Sequence, residues 1–210
     1  MKTYLVTTLI LCGIVVSGSE DNCLRNNPYF ILFPRNEALM TRAAFDSMVN
    51  KTALLGQAEF VVPTRSSYVY PETNLYCKIV KMDPDVYQRY CKNGWQTECN
   101  MYSQSLKTLN PEQTRAIYSY QYNGSEMKEA YWSKDPKKYI WRIQCEGYNE
   151  IANTCAVADV RLSLFVFNKD QFNMHVKNAS RIDLYEAICV NYGYDSRFKW
   201  FFPYLGEPCD

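Results

Sequence analysis

CAVADVRLSLFVFNKDQF, Cys155 to Phe172, decides how the chain is read. From Asp159 the residues alternate. Val160, Leu162, Leu164 and Val166 take one side, and Asp159, Arg161, Ser163, Phe165 and Phe167 take the other. Period-two alternation marks a strand whose two faces meet different surroundings. The aliphatic face asks for burial. The other begins charged and ends aromatic, so it meets solvent, a partner or a cavity.

Outward from this stretch the same period recurs. LLGQAEFVV (54–62) sets Ala58, Phe60 and Val62 against Gln57, Glu59 and Val61, and Pro63 stops it. NLYCKIVKM (74–82) sets Leu75, Cys77 and Ile79 against Tyr76, Lys78 and Val80. TRAIYSYQYNG (114–124) puts Ala116, Tyr118, Tyr120 and Tyr122 on one face, and its Asn123-Gly124 is a two-residue hairpin turn. SEMKEAYWSK (125–134) returns, with Met127, Glu129 and Tyr131 opposite Ala130 and Trp132. KKYIWRIQCEG (137–147), which carries Trp141, is a further strand. Residues 83–113 are polar and irregular and read as a loop insertion, with CKNGWQTEC (91–99) at its centre.

Two segments change period. PRNEALMTRAAFDSMVN (34–50) places Leu39 and Ala43, and Met40 and Ala44, four apart, and reads as a short helix capped by Asn36. NASRIDLYEAICVNYG (178–193) reads as a second helix. Ser180 and Asp183 stand in capping-box positions, and Gly193 ends it. The aromatic tail SRFKWFFPYLGEPCD (196–210) needs pinning to be ordered. The order is helix, seven or eight antiparallel strands, helix, tail, which argues a mainly β sandwich or barrel. An eight-stranded barrel removes edge strands and can hold a small ligand.

The compartment follows from the ends and the cysteines. Lys2, the apolar run Leu5–Val16 and the small residues Val16, Ser17 and Gly18 form a secretory signal peptide over 1–18. The run is too short to span a bilayer comfortably, and no later segment is apolar enough to insert. Residues 19–210 then form a single domain. Without Lys2 the basic and acidic side chains balance at 22 each, so there is no electrostatic case for nucleic acid or an anionic membrane. Cys12 leaves with the signal. Eight cysteines remain, an even number that implies disulfides in an extracellular protein. They allow on the order of a hundred pairings. Cys91 and Cys99 are placed to close a small loop. Asn50, Asn123 and Asn178 each open an N-glycosylation sequon.

Catalytic chemistry finds little footing. His175 is the only histidine, and it lies beside a sequon in a segment read as exposed loop. That excludes sites needing two histidines and argues against a triad. No nucleophile-elbow, phosphate-loop or dinucleotide motif occurs. No C-x-x-C supports a metal cluster, and nothing calls for a cofactor. A non-enzymatic binding protein is expected. The aromatic load, 18 Tyr, 10 Phe and 4 Trp, can line a pocket. The candidate ligand-binding residues are Phe60, Tyr118, Tyr120, Tyr122, Glu129, Trp132, Trp141, Asp159 and Phe165. An inward carboxylate among rings would suit an amine, and an apolar lumen a sterol or fatty acid.

These residues resemble a family, the tick salivary lipocalins that include histamine-binding proteins. AFDSMVNKTALLGQAEFVV (44–62) is similar to the family's helix and first strand, and SLFVFNKDQF (163–172) to its last strand and following turn. The resemblance covers roughly 36–209. The general lipocalin G-x-W near the first strand is absent. The resemblance implies an eight-stranded antiparallel barrel with a short N-terminal helix and a C-terminal helix packed outside. It implies disulfides Cys77–Cys209 and Cys155–Cys189. With Cys91–Cys99 in the small loop, Cys23 and Cys145 are left to each other. It further implies a secreted protein that sequesters a biogenic amine, leukotriene or sterol to suppress host inflammation. The alternative is a filled barrel whose surface loops bind a host immune protein, with Trp95 as a natural anchor.

Overall fold

The computed structural model describes Cys23 and residues 29–49, 54–61, 75–93, 102–109, 112–168, 170, 172–191, 194–197 and 199–201. The side chains of 56–61, 75, 93, 102 and 199–201 lie outside that description. The strands are β1 (Phe30–Leu32), β2 (Leu54–Val61), β3 (Leu75–Asp83), β4 (Val86–Asn93), β5 (Tyr102–Thr108) and β6 (Ile117–Tyr122). They continue with β7 (Ser125–Trp132), β8 (Tyr139–Glu146), β9 (Thr154–Ala156), β10 (Val160–Val166) and β11 (Lys199–Phe201). The helices are α1 (Arg42–Val49) and α2 (Met174–Ile188).

Strands β2 to β8 pair in sequence order, and β10 joins β8 on one side and β2 on the other, closing an eight-stranded antiparallel barrel. The closure runs from Arg161↔Val61 to Val166↔Leu55, so the stretch that opened the sequence reading is the closing strand. β11 pairs with β2 at residues 59–61, on the edge that β3 leaves after Leu54↔Cys77 and Leu55↔Tyr76. The aromatic tail is thus pinned at its start. β1 and β9 form a separate small ribbon.

The insertion expected over 83–113 instead contributes two strands to the wall. It supplies β4 and β5, which pair from Val86↔Lys107 to Cys91↔Tyr102. Its many polar side chains hid the alternation, because β5 is half exposed and β4 carries a buried arginine. The first helix also begins later than expected. Met40 donates its backbone N–H to Tyr131 O and its carbonyl accepts from Ala116, so this segment is held against β6 and β7. The helix begins only after it, and Thr41, not Asn36, supplies the capping oxygen to the Ala44 N–H. α2 begins earlier than expected, capped by Asn173 and ended by Cys189 in the left-handed conformation rather than by Gly193. Ser180 and Asp183 are not a cap; they are buried toward the barrel wall.

Alternation sorts the core in two. Val160, Leu162, Leu164 and Val166 join Trp132, Trp141 and Ile143 outside the barrel, beneath Val176, Leu184 and Ile188 of α2. Phe165 joins Tyr87, Tyr118, Tyr131 and Ile140 inside it, with Phe45 of α1. The three described disulfides are Cys23–Cys189, Cys77–Cys91 and Cys145–Cys155. They replace the expected Cys77–Cys209, Cys155–Cys189, Cys91–Cys99 and Cys23–Cys145. The reason is register: Cys77 faces Cys91 directly across β3 and β4. Cys155 on β9 lies beside Cys145 at the end of β8. Cys99 and Cys209 lie outside the described residues. No described helix is long and apolar enough to cross a membrane.

Candidate functional site

α1 closes one end of the barrel. Phe45 is fully buried, with ring centroids 4.6 Å from Tyr131, 5.2 Å from Tyr118 and 5.8 Å from Tyr87. The helix is held there by charge. Asp46 accepts from Tyr87 Oη and Lys81 Nζ, each at 2.5 Å, and Arg42 pairs with Asp85 at 2.7 Å.

Moving away from α1, each strand's next inward residue lies two positions on. Tyr87 is followed by Arg89, Tyr131 by Glu129, Ile140 by Arg142 and Gln144, and Phe165 by Ser163. An aromatic layer therefore gives way to a polar one. Arg89, Glu129, Arg142, Gln144 and Ser163 are all buried. Arg89 donates to Glu129 Oε2 and Gln104 Oε1, and Tyr131 donates to Glu129 Oε1. Gln144 Nε2 donates to Glu129 Oε2 at 2.9 Å and to Tyr120 Oη at 2.5 Å. Arg142 Nη2 donates to Ser163 Oγ at 2.8 Å, while its Nε makes no hydrogen bond within the described structure. The guanidiniums lie over rings, Arg89 5.0 Å from Tyr120 and Arg142 5.0 Å from Phe165.

Burial pushes the Glu129 carboxyl up, but the charges of Arg89 and Arg142 and the bonds from Tyr131 and Arg89 outweigh it. The group ends below its ordinary value and is a carboxylate at neutral pH. Among the described side chains the cluster thus holds two guanidiniums and one carboxylate; Glu59, whose side chain lies outside the described residues, stands opposite Ser163 in the register of β2 and β10. Buried charge is costly unless it is met by partners, so the layer depends on these contacts.

Among the sequence candidates, Tyr118, Tyr120, Glu129 and Phe165 come together inside the barrel. Tyr122 is 40% exposed, with Arg161 over its ring at 5.9 Å. Trp132 and Trp141 do not join them. They stack 6.1 Å apart outside the barrel, where Trp141 Nε1 donates to Ser180 O of α2. Period two sends Trp132 to the face opposite Tyr131, and Trp141 opposite Arg142. Asp159 sits in the 3-10 turn before β10, not in the wall, and the Phe60 side chain lies outside the described residues. Arg89, Gln104, Arg142 and Gln144 were missed. Arg142 and Gln144 alternate in YIWRIQ, and that signal was readable. Arg89 lay in the stretch read as loop.

A second concavity lies on the outer wall. A 680 Å³ cavity and a 380 Å³ cavity share Leu109, Lys128, Tyr148 and Glu150. Lys128 Nζ lies 3.3 Å from the Tyr148 ring centroid and 5.1 Å from that of Phe33. Burial brings its amine down to about 8, against a smaller upward pull from Glu150.

No protein-family model matches the chain, and no curated protein matches it. The eight-stranded antiparallel barrel with disulfides fits a lipocalin-like fold, and that fold is compatible with holding a small ligand. Three disulfides fit an oxidising, extracellular setting.

Proposed function

We propose that the chain is a secreted carrier, not an enzyme, that holds a small apolar ligand by an anionic head group inside its barrel. One observation carries this reading: among the described side chains, two guanidiniums and one carboxylate are buried in a single layer inside the barrel. Glu129 is already engaged by Arg89, Tyr131 and Gln144, which leaves it poorly disposed to receive an amine. Among the described residues Arg142 hydrogen-bonds a neutral hydroxyl and lies over a ring face, with no direct ion pair. A ligand carboxylate would meet it with charge-assisted bonds, and the surrounding tyrosines and Met127 would take the apolar body. The resemblance to tick salivary lipocalins supplies the biological role, capture of a host mediator to damp inflammation. Of the expected amine, leukotriene and sterol ligands, only the leukotriene class carries this carboxylate.

The test is titration of the secreted, delipidated protein with an unsaturated long-chain fatty acid, its methyl ester, histamine and cholesterol. The acid is expected to bind at least about tenfold more tightly than the ester, the worth of one charge-assisted bond. Arg142→Gln should erase that difference while binding of the ester persists. Equal affinity for acid and ester, or a preference for histamine, would overturn the reading.

A further inference from the structure

The outer face of α2 carries a feature that the ligand reading leaves unused. At about 100° per residue, Met174, Asn178, Arg181, Ile182 and Tyr185 fall within roughly a quarter to a third of the helix circumference. Met174 is 69%, Ile182 58% and Tyr185 46% exposed. Arg181 carries the surface onward to Tyr194, whose ring lies 5.2 Å from the guanidinium and which is 74% exposed. An apolar stripe of this kind on a soluble surface invites association. Asn178, exposed and the acceptor of the sequon Asn178-Ala179-Ser180, stands between Tyr185 and Ile182 on the wheel.

We propose that an N-linked oligosaccharide on Asn178 covers this stripe and keeps the chain from associating through α2. The inference rests on passage through the secretory pathway, which the ligand reading also assumes. A glycan attached at the centre of the stripe reaches every residue of it, and it is bulky and solubilising. The transfer joins the Asn178 amide nitrogen to the anomeric carbon of a lipid-pyrophosphate-linked oligosaccharide. The bond from that carbon to the pyrophosphate oxygen breaks, the amide nitrogen gives up one proton, and the lipid pyrophosphate leaves. Ser180 is fully buried in the folded helix and donates to Lys177 O at 3.0 Å. The sequon is therefore presented before α2 docks, and the sugar is in place when the helix folds onto the barrel. Asn123, the sequon acceptor in the hairpin turn between β6 and β7, is not on α2 and serves as the control.

The experiment uses protein secreted from a eukaryotic host. Enzymatic deglycosylation in heavy-oxygen water, followed by peptide mapping, reads occupancy at Asn178. Light scattering after size exclusion then compares the wild type, Asn178→Gln, Asn123→Gln and the double variant Asn178→Gln/Ile182→Lys, with circular dichroism to verify folding. The expected result is an occupied Asn178 and a monomeric wild type. Asn178→Gln should double in apparent mass or go further, Asn123→Gln should stay monomeric, and Ile182→Lys should restore the monomer. An unmodified Asn178, a monomeric Asn178→Gln, or association that Ile182→Lys leaves unchanged would overturn the proposal. Fatty-acid affinity of the same samples reads the barrel separately, so the two proposals fail independently.

Discussion

Glu129 holds the interior together, because among the described side chains it is the one carboxylate in a layer with two buried arginines. Removing its charge takes a direct ion-pair partner from Arg89 and a nearby opposite charge from Arg142. Glu129→Gln is expected to lose about 3–5 kcal/mol of stability, measured by urea unfolding. The pH dependence has a definite sign. The folded carboxyl lies below its ordinary value, so its contribution is complete above the unfolded value of 4.5 and fades as the pH falls below it. The wild type should weaken from pH 5 to pH 3 more steeply than Glu129→Gln. Parallel acid limbs would show that the carboxylate carries no such role.

At the scale of elements, α2 is docked by few but specific bonds. Asp183 accepts from the Lys134 N–H at 2.9 Å and the Tyr139 hydroxyl at 3.0 Å, both from the β7–β8 side of the wall. Burial pushes the Asp183 carboxyl up, against the pull of those two bonds and of Lys134. A raised folded value means that its contribution is greatest in acid and declines as the pH rises through that value. Asp183→Ala strands two buried donors and should cost about 1–3 kcal/mol. Asp183→Asn keeps an acceptor without the desolvated charge. It should cost less than the alanine variant at both pH values, and the cost of either variant relative to the wild type should be larger at pH 4 than at pH 7, as read by thermal unfolding. The late start of α1 shows the same logic. Its local sequence supports helix from Asn36, but bonds from Met40 to β6 and β7 take the backbone first.

For the whole molecule, Cys23–Cys189 ties the segment before β1 to the end of α2, across 166 residues of chain. A cross-link over so long a loop restricts the unfolded chain strongly, so Cys23→Ser should cost about 2–5 kcal/mol. Non-reducing peptide mapping should recover Cys23–Cys189, Cys77–Cys91 and Cys145–Cys155 as linked peptides. Recovery of Cys77 linked to Cys209 would show that the barrel is cross-linked through its tail instead. Closure has a functional side. With β10 paired to β2, the barrel has an inside, and the charged-to-aromatic face of the opening stretch lines it.

The sequence by itself determined the strand period, the hairpin at Asn123-Gly124, the presence of two helices and the two faces of the closing strand. Each is a local property, set by side-chain alternation, turn chemistry or helical spacing within about a dozen residues. It also placed Tyr118, Tyr120, Glu129 and Phe165 on faces that prove to be internal. Only the tertiary structure decided which faces those were, and that Trp132 and Trp141 lie beneath α2. The same register decided the cysteine partners and recruited β4 and β5 from the expected insertion into the wall. Arg89 shows why. Nothing near it in the sequence marks a buried cation, because Gln104 reaches it from the paired strand β5 and Glu129 from β7 through the barrel interior. A charge can be buried only where distant residues meet it, and that meeting is decided by closure rather than by local pattern.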